Sequence, residues 1–174
     1  MVAQFPMLSG GTVLDFLNTS ASEDTPASEL LSSDQSVVEW MRAKHLLDAA
    51  TLPRFESGRL VRAARALRET IRRAVLQRKS GGDVDIESLN AFLNRGSYRV
   101  SLLRESNGHL HLAYEYERAT PEQLLAPIAN AAAELLAVGN FNLIRKCECE
   151  ARSLWCYEKA KSRAPRNPFE ENSQ

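Results

Sequence analysis

Three cysteines, Cys147, Cys149 and Cys156, stand within ten residues of one another in the segment IRKCECEARSLWCYEKAKSRAPRNP. Thiolates set this closely among Lys and Arg are the raw material of a zinc finger that touches nucleic acid. A structural zinc ribbon uses two ligand pairs, usually Cys-x2–4-Cys, because each pair wraps two corners of one tetrahedron. Here the pattern is Cys-x-Cys-x6-Cys, and no Cys or His follows Cys156. One intervening residue makes a cramped chelate. His109 and His111 supply a further ligand only in principle, since alternate residues of a strand commonly share a face. The expected metal site, Cys147, Cys149 and Cys156, is therefore incomplete, and zinc is doubtful as a cofactor.

The second chemistry is basic. Arg59, Arg62, Arg65, Arg68, Arg72, Arg73, Arg78 and Lys79 lie along one segment that carries a single acid, Glu69. At 100° per residue the arginines from 59 to 73 fall opposite the apolar stripe of that segment. They read either as a solvated face or as a surface for phosphates, with Arg62, Arg65 and Arg72 as contacts. No aromatic or amide base-reader lies between them, so such a face would read charge and shape. Enzyme chemistry is not expected. Asp15, Asn18, Glu115 and Glu117 form no set of base, nucleophile and orienting group, and turn or capping roles suit Asp15 and Asn18 better.

These residues must be positioned by one domain of 174 residues, long enough to bury a core. The chain is 44% apolar and 25% charged, with 22 basic against 22 acidic residues. Balanced charge gives no whole-molecule attraction for an acidic partner, so any nucleic-acid contact must be local. The N-terminal residues lack a signal-peptide pattern, and no apolar run approaches a membrane span. A bacterial, cytoplasmic protein without a membrane partner is the expectation, and clustered, odd-numbered cysteines argue against a disulfide framework.

The chain pattern is mainly α. LSGGTVLDFLNTS (8–20) is an apolar segment entered through a Gly-Gly turn, and residues 21–33 read as a loop. Ser36 with Glu39 forms a capping box for a helix carrying Val37, Trp40, Met41, Leu46 and Leu47, which stops before Pro53. Leu60, Ala64, Leu67, Ile71 and Val75 stripe a long helix from about Ser57 to Lys79, ended by Gly81-Gly82. Asp85 caps a short helix burying Leu89, Phe92 and Leu93. Two strand-like runs in 98–117 flank Asn107-Gly108, a hairpin signal whose turn residues both need positive φ. Thr120, Pro121 and Gln123 open another helix, with Gly139 as its C-cap.

Several of these strings resemble the ABATE-domain family of proposed stress-induced transcription regulators. GGTVLDFLNT (10–19) is similar to the family's opening signature, carried by Leu14, Asp15, Phe16, Asn18 and Thr19. VVEWMRAKHLLD, ALRETIRR, LNAFLN and IANAAAELLAVGNFNLIRKC continue the likeness in order. Family members usually end in a zinc finger with a Cys-Gly-Asn-Arg box. Cys147 matches its first ligand, Leu154, Trp155 and Tyr157 its aromatic knuckle, and Lys159, Lys161, Ser162 and Arg163 its basic run. Arg152 stands where the second ligand belongs, Cys156 falls on an aromatic position, and the final boxes are missing.

The resemblance implies an ABATE-like helical domain over 1–144, followed by a degenerate zinc-ribbon remnant and tail over 145–174. Without metal the remnant is expected to be partly disordered or held only by Trp155 and Tyr157 packing on the domain. Seven basic residues against three acids between Arg145 and Arg166 leave it cationic. Arg145, Lys146, Arg152, Lys159, Lys161 and Arg163 are thus candidate contacts for weak, salt-sensitive binding of DNA or RNA. The alternative is a sensor or protein-interaction module, with a protein partner or a second copy of itself, that has lost nucleic-acid binding.

Overall fold

A computed structural model describes residues 10–20, 29–47, 53–149 and 152–157, and of residues 147–149 and 152–153 the backbone only. Among these residues the order is α1 (Gly10–Leu17), α2 (Asp34–Ala43), α3 (Arg59–Ser80), α4 (Ile86–Leu93), β1 (Tyr98–Arg104), β2 (Leu110–Tyr116), α5 (Pro121–Val138), a 3-10 turn (Phe141–Leu143), β3 (Ile144–Cys149) and β4 (Arg152–Tyr157). The fold is mainly α with two separate two-stranded antiparallel sheets.

The core forms where the apolar stripes of α1, α3 and α5 meet. Leu60, Ala64, Leu67, Ile71 and Val75 of α3 are all buried, as are Leu124, Ile128 and Leu135 of α5. Val13, Leu14, Phe16 and Leu17 make α1 apolar enough to lie within this core. The two glycines expected as a turn before this segment, Gly10 and Gly11, are instead its first helical turn.

Local signals fix most helix ends. Thr120 accepts from the Gln123 N–H while the Gln123 side chain reaches back to the Thr120 N–H, and Pro121 occupies the first turn. Asp85 accepts from the Ser88 N–H, and Gly81 ends α3 at φ 72°. Two expectations shift. The cap of α2 is Ser33, reciprocally bonded with Ser36, because that pair lies one turn upstream of Ser36/Glu39. The same helix ends at Ala43, and His45 turns the chain at φ 57°, yet Leu46 and Leu47 still reach the core. Gly139 is extended rather than left-handed. It is glycine because a Cβ there would lie 2.3 Å from the Leu135 carbonyl.

The hairpin β1–β2 pairs Tyr98 with Tyr116 through Arg104 with Leu110. Its turn is wider than two residues. Gly108 N–H donates to Glu105, Glu105 N–H to His109, and Gly108 alone takes positive φ. Asn107 keeps an ordinary φ and accepts from the His109 N–H through its side chain.

In the cysteine segment the expected packing of Trp155 on the domain is present, whereas Tyr157 is exposed. The segment is a paired hairpin, with Ile144 opposite Tyr157 and Lys146 opposite Trp155. Ile144 is fully buried and Trp155 is 6% exposed, so both belong to the core of the helical domain.

Candidate functional site

The signature segment at the end of α1 is a structural clamp. The Asn18 Nδ2 donates to the Trp155 carbonyl at 2.7 Å, and the Trp155 N–H donates to Asn18 Oδ1 at 2.7 Å. One side-chain amide thus pairs with a strand residue much as another strand would, and it ties the C-terminal hairpin to α1. Leu14 and Phe16 fill the core, and Phe16 packs its ring 5.2 Å from that of Trp40. Asp15 faces outward to the Lys44 ammonium at 2.5 Å. The capping roles expected for Asp15 and Asn18 are thus replaced by an ion pair and a long-range clamp.

Thr19 leads to the second network. Its hydroxyl donates to the Phe16 carbonyl and accepts from Arg68 Nη1 at 2.9 Å. Arg68 is only 3% exposed, although it sits on the helix segment expected to be solvated. Glu29 explains the burial: its two oxygens take Arg68 Nη1 at 2.8 Å and Nη2 at 2.5 Å. Burial raises the Glu29 pKa, but the Arg68 hydrogen bond, the Leu31 N–H and the charges of Arg68 and Arg65 outweigh it. The carboxyl is held below its ordinary value. Burial also opposes the Arg68 charge, and the Glu29 hydrogen bond and charge more than restore it.

The arginines proposed from α3 divide accordingly. Arg65 donates to the Leu31 carbonyl, and Arg72 donates to the Leu17 carbonyl and both Glu69 oxygens, so both hold the fold together. Arg62 remains exposed and lines a shallow polar recess of ≈ 400 Å3 with Arg59, Arg95, Glu56 and Glu122. Along 59–73, Arg65, Arg68 and Arg72 thus serve as ties within the fold, while Arg59, Arg62 and Arg73 stay on an exposed face as the solvated reading expected.

A different basic corner forms at the other end of α3. Lys79 Nζ donates to the Ile144 carbonyl at 2.5 Å, and the Arg78 guanidinium lies 5.8 Å from the Phe141 ring centre. Arg145 and Lys146 follow on β3, both exposed. The Lys146 ammonium sits 5.3 Å from the Trp155 ring centre, a cross-strand cation–π contact. Arg78, Lys79 and Lys146 have no carboxylate partner among the described residues. Arg78 and Lys79 were visible only as the end of a basic helix, because nothing local in sequence says that this end meets β3. The side chain of Arg152, and residues Lys159, Lys161, Ser162 and Arg163, lie outside the described residues.

The cysteines offer no zinc site among the described residues. Cys156 is disulfide-bonded, and a sulfur bonded to sulfur lacks the thiolate charge that zinc requires. The side chains of Cys147 and Cys149 lie outside the described residues. No group of three His, Cys, Asp or Glu side chains converges among the described residues. His111 faces Glu105 at 3.6 Å, and His109 is exposed at the other hairpin's turn. The donor set of the described residues therefore does not fit zinc.

An apolar cavity of ≈ 300 Å3 lies between the end of α3, α4 and α5. Leu89, Leu93, Ala133 and Leu136 line it, together with Arg78, Asp85 and Asn90. Hydrogen bonds from the Ser88 hydroxyl and Ser88 N–H, with the Arg73 charge, hold the Asp85 carboxyl below its ordinary value.

Together these features define a helical domain that carries a basic β-hairpin as part of its own core. Residues 10–139 match the family model of the ABATE domain, described as "Putative stress-induced transcription regulator", and the chain belongs to that family. No curated protein matches the chain. The family match ends at Gly139, five residues before β3, whereas Asn18 inside it clamps β4 outside it. No described helix is long and apolar enough to cross a membrane.

Proposed function

We propose that this chain is a regulator that contacts nucleic acid through the corner formed by Arg78 and Lys79 of α3 with Arg145 and Lys146 of β3. The Lys79–Ile144 hydrogen bond carries the reading, because it fixes the basic helix end against the basic strand. Cations gathered where the end of α3 meets β3 suit phosphates, and phosphate contacts carry no sequence information. Binding is therefore weak and insensitive to sequence. Zinc takes no part in it.

The test is binding of duplex DNA by fluorescence anisotropy across a salt series. Affinity should fall with salt with a log–log slope of about −3, as expected for three or four phosphate contacts. Lys79→Glu with Lys146→Glu should weaken binding at least tenfold at low salt, and Arg62→Glu should leave it unchanged. Equal losses from both variants would sink the assignment to this corner.

A second reading is favoured by the cavity beside α4. Its apolar walls, with Arg78 and Asn90 among the lining residues, suit a small acid with an apolar body. Arg78 belongs to both the cavity and the basic corner, so such a ligand would compete with phosphate for one cation. Thermal-shift measurements with benzoate-sized acids, on the parent chain and on Ala133→Trp, test it. Stabilisation in the parent that is absent in the variant supports a sensor domain.

A further inference from the structure

We propose that the β1–β2 hairpin is an arm through which two copies of this chain associate. Tyr98, Val100 and Leu102 of β1 and Leu110 and Leu112 of β2 are 46%, 51%, 64%, 55% and 51% exposed. Alternation puts the three β1 residues on one face. Register puts the β2 residues on the same face, since Leu102 lies opposite Leu112 and Arg104 opposite Leu110. The exposure is therefore one continuous apolar surface.

On this face the arm is tied down at its base. There Tyr116 accepts from Asn130 Nδ2 at 2.8 Å, and Tyr98 packs its ring 5.2 Å from that of Tyr116 and 5.7 Å from that of Tyr114. Toward the turn, Leu102, Leu110 and Leu112 face water. A two-stranded hairpin is marginal unless its apolar face is covered.

A second copy is the occupant that the surface fits. Five large side chains about half exposed leave on the order of 500 Å2 of contiguous apolar area, at the upper end for a monomer. Two arms face to face cover on the order of 1,000 Å2, the lower bound for a specific interface. A two-fold pairing also requires a surface that does not repel itself. Arg104 is the charged residue on this face, and it lies at the turn end. Antiparallel arms place the two Arg104 side chains at opposite ends.

The experiment is the solution mass by light scattering during gel filtration of the full chain at tens of micromolar. The expected mass is twice the chain's 19.4 kDa. Leu102→Lys with Leu112→Glu, at the centre of the face, should return the mass to one chain with an unchanged far-UV circular dichroism spectrum. Ser101→Glu, on the opposite face, should leave the mass doubled. Should the double variant not fold, Leu110→Lys at the exposed turn end serves in its place. A parent chain that stays monomeric overturns the proposal, and so does a dimer that survives charge at Leu102, Leu112 or Leu110. The first outcome includes the case in which another protein or another part of this chain covers the face.

Discussion

The amide of Asn18 grips the backbone of Trp155 at both its N–H and its carbonyl, each at 2.7 Å, across 137 residues of chain. Asn18 lies in the family-matched region and Trp155 beyond it. The C-terminal hairpin is therefore held by a residue of the domain's own signature, with Ile144 and the Trp155 ring buried beside it.

Removing that grip should loosen the hairpin. Asn18→Ala leaves two partly buried backbone groups without partners and should cost about 2 kcal/mol in urea denaturation. Asn18→Asp should cost more, because a carboxylate cannot donate to the Trp155 carbonyl and faces it with like charge. If the hairpin is the nucleic-acid platform, both variants also weaken DNA binding.

The Glu29–Arg68 pair sets an acid limit on stability. The folded-state pKa of Glu29 is depressed below its ordinary 4.5, so its contribution is fully present above that pH. It is lost as pH falls through the lower folded value. Urea midpoints measured between neutral pH and strong acid should drop in that window, and Glu29→Gln should flatten this part of the profile. Glu29→Ala at neutral pH leaves buried Arg68 with the Thr19 hydroxyl and only the longer Glu69 contact at 3.4 Å, with an expected loss of about 2 kcal/mol.

Two glycines separate two kinds of cost. A Cβ at Gly108 meets nothing within 4 Å, so Gly108→Ala bears only the strain of φ +87°, about 1 kcal/mol. Gly139→Ala meets the Leu135 carbonyl at 2.3 Å and forces α5 and the following turn apart. Its thermal midpoint should fall distinctly further than that of Gly108→Ala. Equal shifts would contradict the close approach at Gly139.

Filling the cavity tests whether it is spare volume in the fold. Ala133 is half-buried on its wall. Ala133→Val should be neutral or stabilising by up to about 1 kcal/mol, because it adds apolar contact to existing space. A loss of more than about 1 kcal/mol in thermal denaturation would mean the wall is already close-packed.

Much of the fold was legible because its signals are local. The α3 stripe repeats at helical spacing, Thr120 and Gln123 cap α5 across three residues, and Asn107-Gly108 marks the β1–β2 turn. Where a local signal had a near competitor, the expectation shifted slightly: Ser33 displaced Ser36 as the α2 cap, and only Gly108 of the turn pair needed positive φ. The basic charge of the cysteine segment could also be read directly. Whether that segment was ordered could not, because its stability comes from elsewhere in the chain.

Residues a few positions apart were enough to dictate the helices and the first hairpin. The choice of which polar residues hold the molecule together waited on the packing of distant segments. Arg68 looked solvated until Glu29, 39 residues earlier, was brought against it. Asn18 looked like a turn residue until Trp155 arrived, and Lys79 like a helix end until it met Ile144. A side chain's periodicity says which way it points. Only the packed fold supplies the partner that lets a charge or an amide be buried.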